Sequence, residues 1–211
     1  MINLLSSFRP FKSLIMIKKL FLFLFVVLVF QIKSPAQQLM HSFGATFSVL
    51  YGKVNTPSSS YSYSLAQTNF TYFPRYNFIE NENSSISIGA PVGAGIGIAQ
   101  NTYGNDVGLL FAYDLPIVLD YNFGCKSTYE NDNTFGGYLG VGFGYYRVNI
   151  SKSEYSDYNG STYGPIFRGG VRIGSSNESW NGHGITLGMF YKKGLEKDKL
   201  STIGFNVLYD L

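Results

Sequence analysis

The chain has 211 residues, with 16 Lys+Arg, 13 Asp+Glu, one Cys and 24 Gly. A single Cys excludes an internal disulfide framework and any Cys-rich zinc site. Five of the cations (Arg9, Lys12, Lys18, Lys19, Lys33) and no acid lie in the first 36 residues, so residues 37–211 carry 11 cations against 13 acids, a net charge of −2. The basic balance belongs to the leader, and nucleic-acid binding has no electrostatic basis in the rest.

Residues 20–30 read LFLFLFVVLVF, directly after Lys18 and Lys19. Such a run is too short for a transmembrane helix, which needs about 20 residues, and has the length of a signal h-region. Ser34-Pro35-Ala36 places small residues at −3 and −1 of a cut before Gln37. Residues 1–36 are expected to be a signal peptide, with Met16 as an alternative start, because Met16–Ala36 is a complete signal by itself. Cys125 is far from the cut, so no lipid anchor is expected on the mature N-terminus. Residues 37–211 fit one exported domain.

From there on, apolar residues recur with period two, the mark of strands, and never with helical spacing over three turns. Eight runs follow in order: about 40–52, 68–79, 85–98, 107–121, 136–149, 163–174, 184–193 and 200–211. One parity collects Phe43, Phe47 and Val49 in the first run, and Phe70, Tyr72, Pro74, Tyr76 and Phe78 in the second. The third gives Ile86, Ile88, Ile96 and Ile98, and the fourth runs from Val107 through Phe111 and Ile117 to Tyr121. Leu139, Val141, Phe143 and Tyr145 continue it in the fifth, then Phe167 and Val171, Leu187 and Met189, and Phe205 and Val207. The opposite parity is small and polar: Ser42, Gly44, Thr46, Ser48; Ser85, Ser87, Gly93, Gly95, Gly97; Gly140, Gly142, Gly144. A slip of one residue would mix the two faces, so the register is strongly specified.

Which face is inside follows from the polar one. A soluble surface is rich in Lys and Glu, whereas this face is Gly, Ser, Thr and Asn with four cations and three acids. Glycine is a poor exposed strand residue but relieves crowding inside a narrow barrel. Tyr51, Tyr72, Tyr76, Tyr121, Tyr163, Tyr191 and Tyr209 sit towards the ends of the apolar stripes, as interfacial girdle residues do. The expected fold is all-β, an eight-stranded antiparallel up-and-down transmembrane β-barrel with its apolar face to lipid; a soluble periplasmic β-protein is the competing arrangement. An even strand number puts both termini on the periplasmic side. Hairpins near 80–84, 124–134 and 175–182 are then periplasmic, and loops near 53–67, 99–106, 151–162 and 194–199 external. Residues 122–134 are long for a periplasmic turn.

The signal peptide, the eight alternating runs and the closing Ile203-Gly-Phe205-Asn-Val207-Leu-Tyr209-Asp-Leu211 segment resemble the small OmpA/OmpX-like outer-membrane β-barrel proteins. The Tyr72-Phe73-Pro74-Arg75-Tyr76-Asn77 segment resembles Bacteroidota versions. The resemblance covers nearly all of residues 38–211 and implies an outer-membrane location in a Gram-negative envelope, with lipid and the barrel-assembly machinery as partners. The assembly signal usually ends in Phe, and Leu211 departs from it.

An eight-stranded barrel is only wide enough for its own side chains. The inward-facing Arg75, Asp114, Asp120, Arg168, Arg172, Lys192 and Asp210 are therefore expected to form a structural network that plugs the lumen. Gly93–Gly97 and Gly140–Gly144 lack the helix a phosphate-binding loop requires and read as packing positions. His41 and His183 fall at the periplasmic starts of runs one and seven, Ser42 points away from His41, and no GxSxG elbow occurs. No catalytic residue, cofactor or metal site is expected. Glu130–Asn133 and Asp157–Gly160 read as ordinary turns, and Cys125 as a free periplasmic thiol. Tyr61, Tyr63, Tyr155 and Tyr158, set among Ser, Asn and Gly, suit a surface-recognition loop and equally any soluble loop. A structural or surface-interaction role without catalysis leads, ahead of a narrow pore or small-solute transport barrel, and then of a lipid-modifying enzyme. An external ligand or partner protein is not identifiable from the sequence.

Overall fold

A computed structural model describes residues 39–211 except 57–58, 102–106, 132, 152–157, 175–182 and 197–199. The signal peptide lies outside the described residues. The strands are β1 (Leu39–Thr56), β2 (Ser59–Asn81), β3 (Ser84–Gly89), β4 (Val92–Asn101), β5 (Val107–Gly124), β6 (Phe135–Ser151), β7 (Tyr158–Gly174), β8 (Gly184–Lys192) and β9 (Ser201–Asp210). Each pairs antiparallel with its chain neighbour, β3 and β4 act as one interrupted stave between β2 and β5, and β9 pairs with β1. The sheet therefore closes on itself as a ring of eight staves, the arrangement by which strands pair their backbone groups in lipid.

Period-two alternation decides what each side carries. Phe47, Phe70, Ile96, Phe111, Ile117, Phe143, Phe167, Met189 and Phe205 all point outward and are exposed. Between them Ser42, Thr46, Gln67, Asn69, Thr71, Ser87, Asn122, Thr186 and Asn206 point inward and are buried. The barrel is thus apolar outside and largely polar inside, inverted relative to a soluble sandwich. Phe143 lies between Ile117 and Pro165 on the neighbouring strands. Phe143→Arg should cost about 2–4 kcal/mol of folding free energy in a bilayer, read by urea titration of liposome-refolded protein. A neutral result would mean that this face does not meet lipid.

Four details depart from the sequence reading. The first loop, expected over 53–67, is mostly strand: β1 and β2 stay paired to Thr56 opposite Ser59. The third run breaks at Ala90-Pro91, between β3 and β4. A bulge between Asn77 and Ile79 shifts the phase of β2, so Ile79 rather than Phe78 takes the outward position. Arg147 shares the outward parity of Tyr145 and is exposed, so the outward phase of β6 is not purely apolar.

The strands differ in height. β8 and β9 have 9 and 10 residues, about the length a tilted membrane strand requires. β1 has 18 and β2 has 23, so that hairpin runs well past β9 at the rim opposite the termini. Chain 193–195 continues along β7 after β8 ends, Lys193 donating to the Pro165 carbonyl and Leu195 to that of Tyr163.

Candidate functional site: the barrel lumen

Of the seven charged residues expected inside, Arg75, Asp120, Arg168, Arg172, Lys192 and Asp210 are buried and Asp114 is half-buried, at two different heights. Nearer the termini, Arg75 of β2 and Arg172 of β7 lie side by side, each 1% exposed. Neither guanidinium has a carboxylate within ion-pair distance among the described residues. Both donate instead to Asn122 Oδ1, at 3.1 and 2.8 Å, and to the main-chain carbonyl of Lys126. Asn122 is held by Ser85 and Ser87, to which its amide nitrogen donates. Asp210 of β9 accepts from Ser42 Oγ of β1 and Thr186 Oγ1 of β8, both at 2.5 Å, so one carboxylate spans the closing seam. Arg168 is packed between the rings of Phe73 and Tyr138, 4.6 Å from each centroid, with its Nε 3.6 Å from Asp120. Higher in the barrel Lys192 pairs with Asp114, and Tyr146 donates to Gln67 at 2.5 Å.

The carbonyl that serves both arginines comes from the long β5–β6 connection. Within the connection read from sequence as a periplasmic hairpin over 124–134, residues 125–128 fold into the barrel end, and Cys125, Lys126, Ser127 and Thr128 are all buried. Gly124 starts the reversal with φ 64°, where a Cβ would collide with the carbonyl of Phe135. Lys126 is also left-handed, φ 54°, a conformation that costs a non-glycine residue about 1 kcal/mol. This strap is tied at three places. Arg75 and Arg172 hold the Lys126 carbonyl; Asn77 and Ser85 donate to the Ser127 carbonyl at 2.9 and 2.5 Å; Asn131 donates to the Glu82 carbonyl and to Asn83 Oδ1. Cys125 is a free thiol, as expected, but a buried one: burial first, and the charge of Asp210 second, push its pKa up.

Towards the opposite rim the inward positions change character. Leu50, Leu65, Leu110, Ala112, Tyr146 and Val148 form one buried apolar cluster across four staves, β1, β2, β5 and β6. The sequence reading missed it because it took the inward face as uniformly small and polar. The signal was present in the same parity, at Leu50 after Ser48 and at Leu65 before Gln67. Gly144 leaves space beneath this layer, since a Cβ there would lie 2.7 Å from Ile166 Cδ1 and 3.1 Å from Lys192 Cε.

Of the surface-recognition candidates, Tyr61 and Tyr63 lie on β2 and Tyr158 on β7. Tyr155 lies outside the described residues. His41 Nδ1 lies 2.7 Å from the Tyr72 hydroxyl and His183 stacks on Tyr209. No group of His, Cys, Asp and Glu among the described residues could hold a metal.

A ring of eight antiparallel staves, lipid-compatible outside and polar inside, is the fold of the small outer-membrane β-barrels of OmpA/OmpX-like type. The crystal structure of Ail, the attachment invasion locus protein of Yersinia pestis, matches with a TM-score of 0.52 and 12% identity, covering 84% of this chain and 98% of Ail. Ail in complex with the heparin analogue sucrose octasulfate matches at 0.51, again with 12% identity, over 82% and 96%. Neisserial surface protein A gives 0.49 at 11% identity, over 83% of this chain and 97% of that one. No protein-family model matches the sequence, and no curated protein is significantly similar to it. At such identities the likeness is one of fold.

Proposed function

We propose that this protein resides in the outer membrane of a Gram-negative cell, of Bacteroidota type, with both termini periplasmic and the long β1–β2 hairpin outside. Its role is structural or one of surface interaction, without catalysis, and its lumen is closed. The observation that supports this reading is the pair of buried layers at different heights, held by unlike means. The strap is hydrogen-bonded across the periplasmic end, and the Leu50–Leu65–Leu110 layer lies across the external half. A polar solute would have to break buried hydrogen bonds to arginine at one end and desolvate at the other, each costing several kcal/mol. Lipid and, during biogenesis, the barrel-assembly machinery are the partners this reading requires.

Planar-bilayer recording of the purified protein tests it. The expected result is a heat-modifiable barrel that inserts without large, stable conductance steps. Steady openings in the nanosiemens range would replace this reading with a pore. A changed lipid A acylation pattern on removal of the gene would replace it with an enzyme.

A further inference from the structure

The outward stripe of β7 lacks one side chain. Phe167 and Val171 are exposed on the lipid side, and between them stands Gly169, level with Leu139 on β6 and Met189 on β8. The missing side chain leaves a groove of about 360 Å³ on the outer wall, lined by Leu139, Phe167, Gly169, Met189, Tyr191 and Ile203. The hydroxyl of Tyr191 engages those of Tyr51 and Ser201, on the side of β8 away from β7. That attachment draws the ring off β7 and keeps the groove open at its head.

The next outward position on β8's line is Lys193. It is exposed, and its main chain continues the ladder by donating to the Pro165 carbonyl. Its charge acts on the Tyr191 hydroxyl. The ion pairs formed by Arg168 with Asp120 and by Lys192 with Asp114 do not include it, and no carboxylate lies within ion-pair distance of it among the described residues. An ammonium without a counter-ion and three hydroxyls therefore stand together at the tyrosine girdle, the level at which headgroups lie. Directly beneath them the wall is apolar and hollow. A larger hollow, about 560 Å³, lies over Ala66 and Thr68 between Phe47 and Ile96, but its lining carries no charge.

We propose that the β7–β8 groove binds a phosphate-bearing lipid of the outer leaflet. The phosphate accepts from Lys193 and from the hydroxyls beside it, and one acyl chain lies over Gly169 between Phe167 and Met189. Met189 to Lys193 is four residues, about 13 Å of strand, so head and chain are engaged together. A lipid suits this face better than a second barrel, because a two-fold pair would set Lys193 against Lys193. The site deepens the surface-interaction reading and rests on its placement of this rim in the outer leaflet.

The test uses refolded protein, 15N-labelled and 13C-methyl-labelled at methionine, in phosphatidylcholine nanodiscs carrying increasing monophosphoryl lipid A. The dephosphorylated lipid is the comparator. The expected result is saturable movement of the Met189 methyl and of the Gly169, Tyr191 and Lys193 amides. Half-saturation should come at about fivefold less lipid than with the comparator, the effect of one cation near a charged headgroup. The Ala66 and Thr68 amides should answer equally to both lipids. Lys193→Gln should abolish the discrimination, whereas Arg147→Gln, an outward cation outside the groove lining, should preserve it. Gly169→Leu, checked for heat-modifiable folding, should remove the saturable Met189 response by filling the groove. Equal response to the two lipids, or equal loss from Lys193→Gln and Arg147→Gln, would overturn the proposal. Shifts that grow with two barrels per disc and no lipid A would replace the lipid by a second copy. A protein that fails to enter the discs would sink the lipid-facing reading with this site, whereas one that enters without discriminating sinks this site alone.

Discussion

Asp210→Ala is expected to destabilise the folded barrel by about 3–5 kcal/mol, the usual consequence of leaving buried charge uncompensated. Asp210 belongs to the last strand and is 2% exposed. It accepts from Ser42 on one neighbouring strand and Thr186 on the other, and its charge acts on both Arg75 and Arg172. Removing it leaves two hydroxyls without an acceptor and takes away the carboxylate charge that acts on two adjacent guanidiniums. The damage falls on the β1–β9 seam, where the barrel closes, so the loss should appear as incomplete closure. Asp210→Asn keeps an acceptor for one hydroxyl and discards the charge, and should cost roughly half as much. Refolding each variant into liposomes without assembly factors, then titrating with urea and scoring the unboiled gel mobility, separates stability from assembly in the cell. Unfolding of Asp210→Ala at the wild-type urea concentration would remove Asp210 from the seam argument.

The parts of the fold that were legible in the sequence are those governed by parity. Outward and inward positions follow from alternation except past the bulge in β2, because the side-chain period of a strand is two and lipid and lumen accept different residues. Strand ends were less legible. Ser60, Tyr61, Ser62 and Tyr63 have the composition of a loop, yet they form strand because the β1–β2 hairpin continues beyond the sheet. The strap was the least legible feature. Residues 125–134 contain the turn formers Ser, Asn and Asp beside charged Lys and Glu, and only their length hinted at another role. Their inward fold is driven by groups far away in sequence, the two guanidiniums on β2 and β7 that have no carboxylate within ion-pair distance among the described residues. Arg75 and Arg172 were identified as inward, but the acceptor they share is a main-chain carbonyl, which no side-chain pattern encodes.

That carbonyl makes the second large prediction, on the strap itself. Replacing Cys125–Thr134 by an Asn-Gly turn, a favoured two-residue hairpin connection, removes the Lys126 and Ser127 carbonyls together. Arg75, Arg172, Asn77 and Ser85 all lose an acceptor, but the periplasmic end then opens to water, which replaces part of the loss. A destabilisation of about 2–3 kcal/mol is expected in urea titration, less than four buried hydrogen bonds would suggest. Conductance should remain absent, because the apolar layer around Leu50 and Leu110 still spans the external half. Adding Leu50→Ser and Leu110→Ser to the shortened barrel wets that layer and should bring measurable steps in planar bilayers. A thiol reagent supplies an independent readout on the full-length barrel. Cys125 is 1% exposed and its thiol is held protonated by burial, so a maleimide should label it slowly at neutral pH. Arg75→Ala with Arg172→Ala releases the Lys126 carbonyl and should raise that rate tenfold or more. Conductance from the shortened turn alone would mean that the strap is the sole barrier. Silence after both changes would mean that the remaining charged belt, Lys192 with Asp114 and Arg168 with Asp120, closes the lumen by itself.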